Sequence, residues 1–227
     1  MEYRTHLPDV LQSPIEYRIT GTVVPALELM MDGRNDVYFE HFVLLYREPS
    51  VVFKMGLPRG AIKRMIGKMP VWMVRAKGTG RMALSRDGAG QIVGINVEAG
   101  QSLFVREHQF LAASGSMSYS FARIRGISNL LLGGTGFFVD RFNADSGPGV
   151  VWVHGYGNIT EVWLDKDDML DVEPGAWCYR DQTVGMSTVP VNLATGLLAS
   201  TSFTLNRFRG PGRLGIQTMA SQVVSSE

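Results

Sequence analysis

The sequence has few of the residues from which disulfides, metal sites and nucleophilic centres are built. One cysteine, Cys178, and four histidines occur among 227 residues. A single cysteine excludes an internal disulfide and a zinc site made of cysteines, and it is typical of a reducing compartment. No His-x-His pair and no Gly-x-Ser-x-Gly nucleophile elbow is present. We therefore predict a cytoplasmic protein with a buried, inert cysteine, no metal, no cofactor and no enzymatic activity.

Neither sign of charge is in excess, and no apolar run is long. Lysine and arginine total 22 against 21 aspartate and glutamate residues, so no overall field favours nucleic acid or an anionic membrane. The longest apolar stretch, 130–139, is interrupted by three glycines, and the N-terminus lacks the apolar core of a signal peptide. We expect no transmembrane segment, and any basic surface must be local.

Equal spacing of similar segments indicates an internal repeat. Three short apolar runs end in an arginine and lead to a Gly-x-Gly step, and their arginines, Arg75, Arg141 and Arg207, are equally spaced along the chain. Such self-similarity at a fixed period is the mark of a repeated structural unit. We predict one domain, 1–227, of three degenerate pseudo-repeats covering about 15–80, 81–149 and 150–218, followed by a disordered tail, 219–227.

Apolar and polar residues alternate within each unit, as at Leu103 and Val105, which is the period of half-buried strands. Glycine-containing turns such as Glu98–Gly100 and Glu173–Gly175 separate these runs. The pattern predicts an all-β fold, a β-sandwich or barrel-like domain. At most one or two short helical turns are expected, at 60–66 and 128–132.

The segment Gly210-Pro211-Gly212-Arg213-Leu214-Gly215-Ile216-Gln217-Thr218 ends the third unit. With the order of glycine-bounded strands from residue 21 to 218, it resembles the altered inheritance of mitochondria 24 family, formerly domain of unknown function 124. The resemblance implies a β-sandwich of the type shared with the tryptophan RNA-binding attenuator protein. It also implies a family without an established biochemical activity, whose mitochondrial members are tied to inner-membrane organisation, and it supplies no catalytic residues.

A run of basic residues without an intervening carboxylate is the first candidate site. Phosphate contacts need such a local surplus of positive charge. The alternative is a solvated rim around buried strands, in which alternate residues face opposite sides. The run, interleaved with methionine and tryptophan, consists of Lys54, Arg59, Lys63, Arg64, Lys68, Arg75, Lys77 and Arg81.

The three spaced arginines, Arg75, Arg141 and Arg207, are the second candidate site. Placed around a pseudo-threefold axis they could ring an anion, because the guanidinium fork matches phosphate and carboxylate. Alternatively, each pairs with a carboxylate or covers apolar surface with its stem. The adjacent pairs Glu40-His41 and Glu107-His108 point to opposite faces of a strand and cannot chelate one ion.

These observations predict a non-enzymatic scaffold or interaction protein. Exposed strand edges or apolar faces are expected to drive self-association into a homo-oligomer, and another protein is a possible partner. The alternative function is binding of a polyanion, either RNA or an anionic membrane surface, through the basic segment Lys54 to Arg81.

Overall fold

The structure, a computed structural model, describes residues 1–5, 7, 13–56, 73–124, 137–190 and 204–220. These residues form nineteen strands and one short 3-10 helix, η1 (His41–Val43), which confirms the predicted all-β fold. The positions of the expected helical turns, 60–66 and 128–132, and the residues from 221 onward in the predicted tail lie outside the described residues. The strands are β1 (Glu2–Arg4), β2 (Glu16–Thr20), β3 (Ala26–Asp32), β4 (Val37–Glu40), β5 (Leu44–Arg47), β6 (Val51–Gly56), β7 (Met73–Ser85), β8 (Gly90–Val97), β9 (Ser102–Arg106), β10 (Phe110–Ser114), β11 (Ser118–Ile124), β12 (Phe137–Asn143), β13 (Gly149–Tyr156), β14 (Ile159–Leu164), β15 (Met169–Val172), β16 (Trp177–Asp181), β17 (Gly185–Pro190), β18 (Thr204–Arg209) and β19 (Gly212–Gln217).

The strands are arranged in three antiparallel sheets. A nine-stranded sheet has the order β2-β3-β7-β4-β10-β13-β8, with β5 and β6 also paired to the long strand β7. A seven-stranded sheet has the order β1-β14-β19-β16-β9-β12-β11, and a three-stranded sheet has the order β15-β18-β17. In the described part of the chain, no helix is long and apolar enough to cross a bilayer.

Three apolar cores lie inside and between these sheets. The nine-stranded sheet curls around the first core, which contains Trp152 and Phe39, and the second core fills the space between the nine- and seven-stranded sheets. The third core, which contains Phe208, lies between the seven- and three-stranded sheets. Strand β13 sends Val150 and Trp152 into the first core and Val151 and Val153 into the second, so these four residues form the continuous apolar run expected of a strand buried on both faces.

The three spaced arginines occupy the same pairing position in three hairpins, β6–β7, β11–β12 and β17–β18. On the hairpin side they lie opposite Lys54, Ser120 and Ser187, and on the other side opposite Tyr38, Phe104 and Asp171. Each partner thus recurs at nearly the same interval as the arginines themselves. This common register is what an internal repeat requires, while the unit boundaries and the single-domain organisation stay predictions.

Candidate functional site

A cleft separates the two edge strands of the nine-stranded sheet. Strands β2 and β8 are the ends of this sheet, and they face each other across a space of about 240 Å³. The sheet is therefore a barrel that is closed except along this gap. None of the described lining residues carries a charge: they are Leu7, Tyr17, Ile19, Gly21, Thr22, Pro25 and the β8 residues from Gly90 to Gly94.

Alternate residues of β8 direct their backbone groups into the cleft. On β13, the N–H groups of Val150 and His154 point toward β10, where they donate to Ser114 Oγ at 3.0 Å and Gln109 O at 2.8 Å. The odd-numbered residues of β13 therefore bond to β8, and the register makes their partners the odd-numbered residues of β8. It follows that the even-numbered residues of β8 point outward.

Only the two ends of this outward row have hydrogen-bond partners among the described residues. The N–H of Gly90 donates to Val23 O at 2.9 Å, and the carbonyl of Asn96 accepts from Arg213 Nη2 at 3.0 Å. Between them, the backbone groups of Ile92 and Gly94 have no hydrogen-bond partner in residues 1–5, 7, 13–56, 73–124, 137–190 and 204–220. The cleft thus offers the two outward backbone positions that a further strand would use.

A buried histidine lies behind one end of the cleft. A Cβ atom at Gly90 would come within 2.7 Å of His154 Nε2, so a side chain at this position would overlap the ring. His154 is fully buried, and neither of its ring nitrogens forms a well-aligned hydrogen bond with a described residue. Burial, and then the positive charge of Arg86, lower the pKa of His154, and the backbone of Gly88 and the charge of Asp87 act in the opposite direction.

Four members of the predicted basic segment are described, and three of them share one face of β6 and β7. Lys54 lies directly opposite Arg75, and Lys77 lies two residues farther along β7. Asp36 partly neutralises this face, because it pairs with Arg75 and lies 3.6 Å from Lys77. Arg81 is exposed opposite Met30 of β3. The other predicted residues, Arg59, Lys63, Arg64 and Lys68, lie outside the described residues.

The spaced arginines lie in three different sheets and differ in their partners. Arg75 donates to the carboxylate of Asp36, and Arg207 forms two bonds of 2.7 Å with Asp171. Arg141 instead donates from Nη2 to the hydroxyl of Ser102 at 3.1 Å. Two of the three cations are therefore neutralised locally, as the alternative interpretation of these positions requires.

A second arginine, which sequence reasoning did not single out, contacts the same aromatic ring as Arg141. Arg180 of β16 and Arg141 of β12 are the two cross-strand neighbours of Phe104, and their guanidinium carbons lie 4.2 and 5.5 Å from the centre of its ring. Burial lowers the pKa of Arg180 to about 10. The sequence held a signal for this difference, because Ser102 precedes Arg141 by the same number of residues as Asp36 precedes Arg75, and serine has no carboxylate.

The remaining candidates are structural. Cys178 is fully buried, as predicted, and burial raises the pKa of its thiol to about 12. In the described ranges, no group of three or more histidine, cysteine, aspartate or glutamate residues is placed to hold a metal ion.

Comparison with known proteins agrees with the family suggested by the C-terminal strand. The family model for mitochondrial biogenesis AIM24 matches residues 17–219, which is most of the chain. The chain belongs to the AIM24 family. No protein of curated function matches this AIM24 member.

A crystal structure of a Streptococcus pyogenes protein, determined by the Northeast Structural Genomics Consortium, has a similar fold. Its TM-score is 0.70 at 21% identity, and the match covers 91% of this chain and 94% of that one. At this identity the match supports the fold of the AIM24 member alone. The likeness to the tryptophan RNA-binding attenuator protein stays a prediction.

Proposed function

We propose that this AIM24 member is a non-catalytic interaction protein that binds an extended, uncharged segment of another polypeptide as an added strand beside β8. The observation that carries the proposal is the pair of backbone positions at Ile92 and Gly94, which face the cleft between β2 and β8 and bond to no residue that the structure describes. An unpaired strand edge is a template for pairing with another chain, and an added strand gains its affinity from main-chain hydrogen bonds.

The sequence of β8 lacks the features that protect an edge. Gly90–Val97 has no charged residue and no proline, whereas protected edges carry lysine, proline or bulges. Strand β8 pairs with β13 in an unbroken register over its full length, so no bulge twists it away from a partner. These features favour addition of a strand over a passive, solvent-covered edge.

The size and chemistry of the cleft favour a short peptide over a small-molecule substrate. Its volume of about 240 Å³ is below the roughly 300–1,000 Å³ typical of small-molecule sites. Its described lining has no carboxylate, imidazole, thiol or ammonium group that could act as an acid, base or nucleophile. Ile92 and Gly94 are about 7 Å apart along the strand at about 3.3 Å per residue, so the free row pairs with about three residues of a partner.

A pair of variants at one position tests the proposal. Gly94→Pro removes an outward N–H that makes no ladder bond to β13, and proline is tolerated at such an edge position. Gly94→Ala adds a Cβ atom but keeps the N–H, and is the matched control. Peptides selected from a displayed random library on the parent protein are expected to bind the Ala variant and not the Pro variant. They should also slow hydrogen exchange at the amides of Ile92 and Gly94.

Equal binding of the selected peptides to both variants would contradict strand addition at β8. A second copy of this chain is the first partner to test, since unprotected edges also join copies of one protein. Light scattering of the parent and both variants measures this directly. A defined oligomer that Gly94→Pro alone dissociates supports a homo-oligomer, and a parent that stays monomeric removes self-association from the proposal.

We place the protein in the cytoplasm, in keeping with its one free cysteine.

A second candidate function is binding of a polyanion at the basic face of β6 and β7. It is supported by the common orientation of Lys54, Arg75 and Lys77. Asp36 is the one carboxylate that pairs with Arg75 and Lys77 in the described residues. Titration with single-stranded RNA and with acidic vesicles at low salt tests it, using Lys54→Glu and Lys77→Glu together. Salt-sensitive binding that this double variant abolishes supports the function, and binding that does not depend on salt rejects it.

A further inference from the structure

The pair Arg141 and Arg180 is a concentration of positive charge for which the described residues provide no counter-charge. Neither guanidinium forms an ion pair with any residue in the described part of the chain, and the carboxylate that follows Arg180, Asp181, pairs with Arg213 at 2.9 Å instead. Arg180 Nη1 donates to the carbonyls of Val184 at 2.6 Å and of Asp181 at 3.4 Å. Among the residues that the structure describes, both cations thus bond only to neutral oxygens.

Each guanidinium also keeps donors that no described group of the protein uses. The Nε atoms of Arg141 and Arg180 are buried and have no hydrogen-bond partner. Arg141 Nη1 and Arg180 Nη2 make no hydrogen bond with the described residues, and both residues are partly exposed to solvent. An unpartnered buried donor costs about 1–3 kcal/mol, and a cation that is partly buried without an anion costs more. The hydrogen-bond donors of Arg141 and Arg180 are therefore only partly satisfied by the described residues.

The other copies of this position show what completes it. Arg75 lies over the ring of Tyr38 at 5.0 Å and pairs with Asp36, 39 residues before it. Arg141 lies over Phe104 and bonds to Ser102, also 39 residues before it. The aromatic ring is thus kept and the carboxylate is replaced by a hydroxyl. The neighbouring strand gains a positive charge at the same time. The cross-strand partner of Tyr38 on β10 is Ala113, whereas the cross-strand partner of Phe104 on β16 is Arg180.

We propose that Arg141 and Arg180 bind a phosphate group beside the ring of Phe104. The two guanidinium carbons lie 5.5 and 4.2 Å from the centre of the same ring, so they are less than 10 Å apart. A phosphate monoester carries a charge of about −1.5 to −2 near neutral pH and has three acceptor oxygens, so one group neutralises both cations. A carboxylate neutralises only one of them. Guanidinium forks bind phosphate through paired hydrogen bonds.

The site lies on the seven-stranded sheet, on different strands from the cleft beside β8. The phosphate proposal therefore does not depend on peptide binding. Two sources of the phosphate are possible with the same chemistry, a soluble phosphate compound and a lipid headgroup, and the experiment separates them.

Isothermal titration with inorganic phosphate and the thermal unfolding midpoint in phosphate against chloride at equal ionic strength test the site. The parent is expected to bind phosphate and to unfold at a higher temperature in its presence. Ser102→Asp places a carboxylate where the first unit has Asp36, and we expect phosphate affinity to fall by at least about tenfold, as the loss of one charged hydrogen bond would give. Its midpoint in chloride should be equal to or above that of the parent, which a merely damaged site would not show.

Arg207→Gln is the matched control, because it removes the equivalent arginine where a carboxylate already neutralises it. It should leave phosphate binding unchanged. Arg180→Gln repeats the test by a second route if the Asp variant does not fold. No phosphate-specific stabilisation of the parent, or unchanged binding in folded Ser102→Asp and Arg180→Gln variants, would overturn the proposal.

Vesicles of phosphatidylcholine with and without phosphatidic acid identify the source. Binding that requires both phosphatidic acid and Arg180 supports a lipid headgroup at this site. Binding of inorganic phosphate without binding to either vesicle supports a soluble phosphate compound.

Discussion

Arg86 and Glu40 form an ion pair in which both side chains are almost fully enclosed. Arg86 Nη2 lies 2.7 Å from Glu40 Oε2, and the exposed fractions of the two side chains are 2% and 8%. Arg86 also donates to the carbonyl of Phe110 and lies against the ring of Phe42. Arg86, which follows β7, thus bonds to the last residue of β4 and to the first residue of β10. Its guanidinium group therefore connects three strands at one end of the barrel.

Glu40→Gln should be among the most destabilising single changes in this protein. It leaves the buried guanidinium of Arg86 without its anion, and breaking a buried pair in this way costs about 3–5 kcal/mol. Urea denaturation followed by tryptophan fluorescence measures the free energy of unfolding. Arg18→Gln is the control, since it breaks a pair with Glu28 in which the arginine is 64% exposed, and it should cost less than about 1 kcal/mol. Similar losses in the two variants would show that burial does not set the value of the Arg86 pair.

Gly215→Ala should destabilise the junction between β16 and β19. Tyr179 is fully buried opposite Gly215, and a Cβ atom there would overlap the tyrosine ring, whose hydroxyl donates to Glu161 at 2.8 Å. Overpacking of this kind costs about 1–3 kcal/mol. The thermal unfolding midpoint measures the loss. Gly185→Ala is the control because the nearest atom to its Cβ would lie 3.8 Å away, and an equal change in both variants would contradict the steric argument.

The strand pattern could be predicted from the sequence because it is a local property. The alternation at Leu103 and Val105 places both in the core between two sheets, and the predicted turns at 98–100 and 173–175 do connect strands. The one described helical turn, at His41–Val43, was not predicted, since three residues are too few to show a period.

The sites could not be predicted in the same way, because they depend on pairing between distant segments. The cleft arises when the nine-stranded sheet curls until β2 approaches β8, although five strands of the chain lie between them in sequence. Arg180 reaches Phe104 only because β16 pairs with β9. The equal spacing of Arg75, Arg141 and Arg207 is visible in the sequence, and so is the change from Asp36 to Ser102 at the same interval. The effect of this change on the partner of Arg141 became visible only when the contacts of Arg75 and Arg141 were compared. The pseudo-threefold arrangement of these arginines stays a prediction.

The thiol of Cys178 should be unreactive in the folded protein. Burial raises its pKa to about 12, from a usual 9.0, so the thiolate fraction at pH 8 falls by nearly three orders of magnitude, and steric exclusion adds to this. Ellman's reagent should label no thiol in native buffer and one per chain in guanidinium chloride, since the sequence has one cysteine. Complete labelling within minutes under native conditions would contradict the burial of β16.

Acidification from pH 7 toward pH 5.5 should destabilise the protein through His154. Burial and the nearby Arg86 charge lower the pKa of this imidazole below its usual 6.5 in the folded state. Below pH 6.5 the unfolded chain therefore takes up a proton that the folded protein does not. The free energy of unfolding is then fully retained above pH 6.5 and decreases as the pH falls, by up to about 1.4 kcal/mol per pH unit for one proton. His154→Asn should show a smaller slope than the parent in urea denaturation at several pH values. A slope that survives in His154→Asn would assign the pH dependence to another group.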